Sequence, residues 1–77
     1  MTQEREDWLI RAGERARALR DRLGLSQRAL AEKSGVSRPT IANLEAGKSW
    51  PNPTTRIALG VALECEDFGR FLLEGRR

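Results

Sequence analysis

Seventy-seven residues and 8.7 kDa suffice for one hydrophobic core, because a chain below about 80 residues cannot divide into two cores that each offset the entropy of folding. Hydrophobic residues at 39%, charged residues at 32% and a net charge of +3 describe a globular chain that permits a polyanionic partner without requiring one. With no histidine and Cys65 as the only cysteine, zinc fingers, a disulfide framework, a Ser-His-Asp triad and Cys-His nucleophilic catalysis are excluded. Met1 to Asp7 is polar with an acidic excess, and no apolar run approaches the roughly 18 residues of a transmembrane span. A cytoplasmic protein is expected, in contact with no membrane.

Trp8, Ala12, Ala16, Leu19 and Leu23 recur at spacings of three and four, so Asp7 to Leu23 reads as an amphipathic helix. Gly24 ends it. Ser26 is the next start signal, its hydroxyl able to accept from the backbone of Arg28 or Ala29, with Leu25 and Leu30 as the apolar pair around the cap. A second helix therefore runs from Gln27 to about Ser34. After Gly35 the device repeats, with Ser37 as cap, Val36 and Ile41 as the apolar pair, and Pro39 tolerated in the first turn. The third helix covers about Arg38 to Ala46 and stops at Gly47.

Pro51 and Pro53 keep the next segment extended until Asn52 caps a fourth helix that begins at Pro53. Ile57 to Leu63 follows, apolar except for Gly60. The lone Cys65 reads as a reduced thiol packed near a helix end. Asp67 is expected to cap a last short helix in which Phe68, Phe71 and Leu72 share a face, with Gly75 just past its end. No segment alternates with period two, and no unit repeats. The fold class is all-α.

Two helices separated by a short Gly-containing turn cross at a wide angle and let the second protrude. Leu30, Ala31, Val36, Ile41 and Leu44 fall where two such helices touch each other and the body, and Gly35 falls at the turn. On these residues the segment Leu25 to Lys48 resembles the helix-turn-helix of the Cro and phage-repressor type, the XRE family. The resemblance covers residues 25–63 closely. It implies a five-helix, lambda-repressor-like DNA-binding domain occupying residues 1–77, with the helix-turn-helix over about 26–46. It also implies that the helix from Arg38 enters the DNA major groove while the helix from Gln27 crosses the backbone.

Gln27 is similar to the family's glutamine that hydrogen-bonds a phosphate at a helix N-terminus. Ser37, Arg38, Thr40 and Asn43 lie on the outward face of the third helix, since Ile41 and Leu44 take the inward positions. Arg38 has the fork that pairs with guanine, and Asn43 the amide that pairs with adenine. Pro39 stands where the family often has a polar reader and can offer only an apolar contact, for example to a thymine methyl. Arg20 and Glu45 match the family's pair of an arginine late in the first helix and a glutamate late in the recognition helix, a mainly structural bridge. Lys48 and Arg56 look like phosphate contacts from the loop side. Trp50 is expected to pack onto the body, the alternative being a sugar-phosphate edge.

Residues 11–56 hold ten Lys or Arg against four Asp or Glu, while the first ten residues sum to −2 and the last twenty-one to −1. The basicity thus lies with the helix-turn-helix, which predicts steeply salt-dependent binding. Family members usually bind as dimers to inverted half-sites. The candidate interface is the fourth and fifth helices through Ile57, Val61, Phe68, Phe71 and Leu72, unless the last three cover the fourth helix within one chain.

The expected function is sequence-specific double-stranded DNA binding by a transcriptional regulator, a repressor that occupies an operator. No separate effector domain is expected. The alternative is a protein-interaction module, such as an antitoxin that also binds its own promoter, using the apolar fourth and fifth helices. An enzyme fails on inventory, and no cofactor or metal is expected, because no acid, base, metal-binding or nucleophile constellation can be assembled.

Overall fold

Three side-chain caps set where the middle helices begin. Ser26 Oγ accepts from Ala29 N at 3.0 Å, Ser37 Oγ from Thr40 N at 3.3 Å and Asn52 Oδ1 from Thr55 N at 2.9 Å. Each satisfies one of the amides that a helix start leaves without a partner. The chain accordingly forms α1 (Thr2–Arg22), α2 (Gln27–Ser34), α3 (Arg38–Glu45), α4 (Pro53–Leu63) and α5 (Glu66–Glu74). The computed structural model describes residues 2–74, with side chains from residue 7, and among them there is no strand. The chain is all-α, and α2 and α4 have the bounds their caps predict. The stop expected at Gly75 lies outside the described residues.

Four boundaries differ from expectation. Helix α1 runs from Thr2 to Arg22 rather than from Asp7 to Leu23, and α3 ends at Glu45 with Ala46 as its C-terminal cap. Helix α5 starts at Glu66, with the Cys65 carbonyl accepting from Gly69 N at 2.8 Å. Asp67 therefore does not cap α5. It lies in the first turn with Glu66, where a negative charge meets the positive end of the helix dipole.

One core gathers a face of every helix: Ala16 and Leu19 of α1, Leu30 of α2, Ile41 and Leu44 of α3, Leu59, Ala62 and Leu63 of α4, and Phe68 and Leu72 of α5. The most extensive helix pairing is α4 against α5, while α3 lies against both α1 and α2. Trp50 bridges the long loop to the body, edge-on to Trp8 at 4.8 Å and to Phe71 at 5.9 Å between ring centroids. It packs within the chain, and so does most of the face assigned to a dimer. Phe68 and Leu72 are core residues, 4% and 0% exposed, and Phe71 is half-buried against Trp50. These three cover α4 from within, so they leave the list of interface candidates. Ile57 at 47% and Val61 at 75% exposure remain outside, joined by Leu73 at 58%.

Candidate nucleic-acid interface

The turn between α2 and α3 is held by one side chain and one unusual backbone conformation. Ser34 Oγ donates to Leu30 O at 2.7 Å and accepts from Val36 N at 3.1 Å. Gly35 adopts φ 77°, a region in which any Cβ is strained. The amides of Gly35 and Val36 are thus both bonded within the turn, and Val36 drops into the core ahead of α3.

Helix α3 buries Ile41 and Leu44 at 1% exposure each. With about 3.6 residues per turn, the opposite face centres on Pro39, Asn43 and Ala46, all exposed. Arg38 is exposed in the first turn, and Thr40 and Ala42 flank the face half-buried. The Ser37 and Thr40 hydroxyls are 2.8 Å apart and hydrogen-bond each other, which uses part of the capacity of both. Ala42 and Ala46 offer only methyl groups, so hydrogen bonding on this face is concentrated in Arg38 and Asn43. Beyond α3, Gly47 N donates to Leu44 O at 2.9 Å and Lys48 N to Asn43 O at 2.9 Å, the Schellman pattern, with Gly47 at φ 72°. This fixes the backbone of exposed Lys48 against the end of the helix.

Behind α3 a polar cluster joins three elements. Glu45 Oε2 accepts from Arg20 Nε at 2.7 Å, and Glu45 Oε1 accepts from Arg20 Nη2 at 3.0 Å and from Gln27 Nε2 at 3.0 Å. Arg20 Nη1 donates to Leu25 O at 2.7 Å and lies 3.4 Å from Asp21 Oδ1. The side chains of Arg20 and Glu45 are only 10% and 5% exposed. The hydrogen bond to Glu45 holds the Arg20 guanidinium above its ordinary range, against burial, which acts the other way.

The cations divide into occupied and unoccupied. Lys33 pairs with Glu64, Arg17 lies 3.8 Å from Asp21, and Arg15 sits over the Phe68 ring at 5.7 Å. Arg56 is half-buried with its guanidinium 5.1 Å from the Trp50 centroid, and its Nε has no hydrogen-bond partner among the described residues. Among the described residues Arg11, Arg22, Arg28, Arg38 and Lys48 make no ion pair. Arg28 was not singled out from the sequence. Its signal is positional: it is a cation in the first turn of α2, where the dipole disfavours positive charge. Helices α2, α3 and α4 have no acidic residue in their first turns, whereas α5 has Glu66 and Asp67. The positive ends of the three middle helices are therefore left uncompensated, and Arg28 and Arg38 add to two of them.

Cys65 lies apart from this face, at the start of α5. The backbone amide of Phe68 donates to its sulfur and lowers the thiol pKa, burial opposes this, and Arg15 Nη2 at 3.8 Å adds to the lowering. Alkylation of the folded protein by iodoacetamide should therefore show its pH inflection below that of the urea-unfolded chain. Coincident inflections, or a folded curve shifted upward, would contradict the capping contact. Among the described residues no cluster of His, Cys, Asp and Glu is arranged to hold a metal ion, and no helix is long and apolar enough to cross a membrane.

A helix-turn-helix family model matches residues 17–66, well over half of the chain. Repressor protein C2 of Salmonella phage P22 is 40% identical over 63 residues, which are 82% of this chain and 28% of that protein. No solved structure gives a significant match. The matched span runs from late in α1 through the capped turn and the α3 face to the start of α5, and on it the chain belongs to the helix-turn-helix family of the Cro and phage-repressor type.

Proposed function

We propose that this chain binds double-stranded DNA sequence-specifically, with α3 in the major groove, and represses transcription by occupying an operator. The observation that carries this is the electrostatics of the α2, α3 and α4 starts, which lack acidic residues and include Arg28 and Arg38 in two first turns. Positive helix ends of this kind suit phosphates on either side of a groove. The bacteriophage relative is named a repressor, which supports repression as the outcome of operator occupancy. Such a regulator works in the cytoplasm, on the nucleoid, and has no catalytic role.

Arg38 and Asn43 then read base edges, and Ser37 and Thr40 contribute the hydroxyl capacity that their mutual bond leaves over. Pro39 gives apolar contact. Gln27, Arg28, Lys48 and Arg56 meet the backbone, Arg56 with its guanidinium plane set by Trp50. The test is a titration of selected against scrambled duplexes. Arg38→Ala with Asn43→Ala is expected to lower selectivity by at least about thirtyfold, since each of the two side-chain–base pairs supplies about 1–3 kcal/mol. Lys48→Ala is expected to weaken all duplexes alike and to flatten the salt dependence by about 0.9 in log–log slope. Equal affinity for all sequences, unchanged by the double substitution, sinks the reading.

On DNA the partner is a second copy across an inverted repeat. The α4–α5 face carrying Ile57, Val61 and Leu73 supports this, since three exposed aliphatic side chains share one groove with Gly60 and Gly69 at its floor. The same face favours a second reading, an antitoxin-like module that docks a different protein there. Sedimentation with and without a palindromic duplex separates them: Val61→Glu should abolish paired binding on DNA in the first case and leave it intact in the second.

A further inference from the structure

The Gln27 side chain, the proposed phosphate ligand at the start of α2, does not hang free. Its Nε2 donates to Glu45 Oε1 at 3.0 Å, the same oxygen that accepts Arg20 Nη2, while Glu45 Oε2 accepts Arg20 Nε. Glu45 closes α3, and its side chain is only 5% exposed. Nothing in the docking of α1 against α3 requires that third bond, because Arg20 alone supplies Glu45 with two donors. A glutamine amide has two hydrogens. One is spent inward on Glu45, so the other has a fixed direction.

On the DNA-binding reading above, we infer that Glu45 is a positioning residue for DNA, holding Gln27 so that its remaining amide hydrogen meets a backbone phosphate. Arg20 completes the device. An anionic carboxylate behind a phosphate ligand would repel the phosphate, and the Arg20 guanidinium bonded to both its oxygens cancels that charge. Arg20 Nη1 also holds Leu25 O at 2.7 Å, which fixes the backbone that enters α2 next to Gln27. The ion pair thus links the end of the reading helix to the phosphate ligand of its neighbour, so groove contact and backbone contact share one register. A purely structural bridge would lock α1 to α3 and leave Gln27 indifferent.

The test is a mutant cycle on the full chain, read by fluorescence anisotropy with a mixed-sequence duplex of about 20 base pairs, long enough for two half-sites one turn apart. Gln27→Ala should weaken binding by about tenfold, the loss of one hydrogen bond to a charged group. Arg20→Met with Glu45→Leu, which replaces the pair by apolar side chains, should give a similar loss at unchanged helix content. Adding Gln27→Ala to that double variant should then cost almost nothing further. Wild-type affinity in the double variant, or the same cost of Gln27→Ala in both backgrounds, would overturn the inference. Side-chain amide relaxation of Gln27 in the unsubstituted protein tests it independently of variant folding: a rigid amide is expected, and a freely rotating one overturns it. Failure of the unsubstituted protein to bind any duplex would overturn the DNA-binding reading beneath it, and undiminished binding by Gln27→Ala the phosphate contact itself.

Discussion

Gly13→Ala should lose about 3 kcal/mol of stability and lower the melting temperature by roughly 10–25 °C, although the substitution is favourable for an isolated helix. The two effects have opposite signs, and magnitude decides between them. Gly13 lies inside α1, where alanine gains about 1 kcal/mol of helix propensity. A Cβ at this position would lie 2.2 Å from Leu44 O and 2.9 Å from Glu45 O. Those are backbone atoms of α3, so no side chain can rotate away, and relief requires α1 and α3 to separate. Separation opens the contact among Ala16, Ile41 and Leu44, which costs more than the propensity gain returns. Thermal unfolding followed by circular dichroism decides the matter: a variant melting at or above the unsubstituted protein would show that the helices are not in close contact at Gly13. The same separation tilts α3, so on the proposed function variant molecules still folded in the cold should bind DNA less tightly.

Gly13 also marks where the sequence stops being legible. The starts of α2, α3 and α4 could be read because a cap is local: Ser26, Ser37 and Asn52 each bond an amide three residues on. The outward face of α3 was readable for a related reason, since burying Ile41 and Leu44 leaves Asn43 outside by helical geometry alone. The start of α1 was not, because residues 2–7 are mostly polar and carry no apolar periodicity, although their backbone is helical. Nor was the start of α5. Glu64 ends α4 in the left-handed region at φ 56°, a conformation with no signature in a glutamate, and this puts Cys65 where Asp67 was expected to cap. Tertiary choices were legible only in part: the Arg20–Glu45 pair and the packing of Trp50 onto the body were expected, whereas intramolecular cover of α4 stood as one of two alternatives. Phe68, Phe71 and Leu72 share a face in any helix, but it is the packing of α5 on α4, so close that a Cβ added at Gly60 would lie 3.0 Å from Gly69 Cα, that decides that this face turns inward. Gln27 and Glu45 were each singled out from the sequence. Their hydrogen bond was not, since it depends on how α2 and α3 cross.

Arg20→Met alone should cost about 3–5 kcal/mol, whereas Arg20→Met together with Glu45→Leu should come within about 1 kcal/mol of the unsubstituted protein. A chain of this size has roughly 4–12 kcal/mol in all, so the single variant should be partly unfolded at moderate temperature and the double variant should not. The asymmetry arises from what is left behind. Removing Arg20 strands a carboxylate that is 5% exposed, with Gln27 Nε2 as its remaining hydrogen-bond donor among the described residues, and leaves Leu25 O without its guanidinium partner. Removing both charges deletes the desolvation cost along with the attraction, and two apolar side chains can pack against Leu44 and its neighbours. Because Glu45 raises the pKa of Arg20 from an already strongly basic value, the contribution of the Arg20 charge is complete at neutral pH and is lost as pH rises into strong alkali. Urea titrations at neutral pH therefore measure the fully formed pair. If the single variant matched the unsubstituted midpoint, Glu45 would have to reach water that its burial denies it. A double variant as unstable as the single would instead make the pair the principal lock between α1 and α3, a role for which packing would then be insufficient.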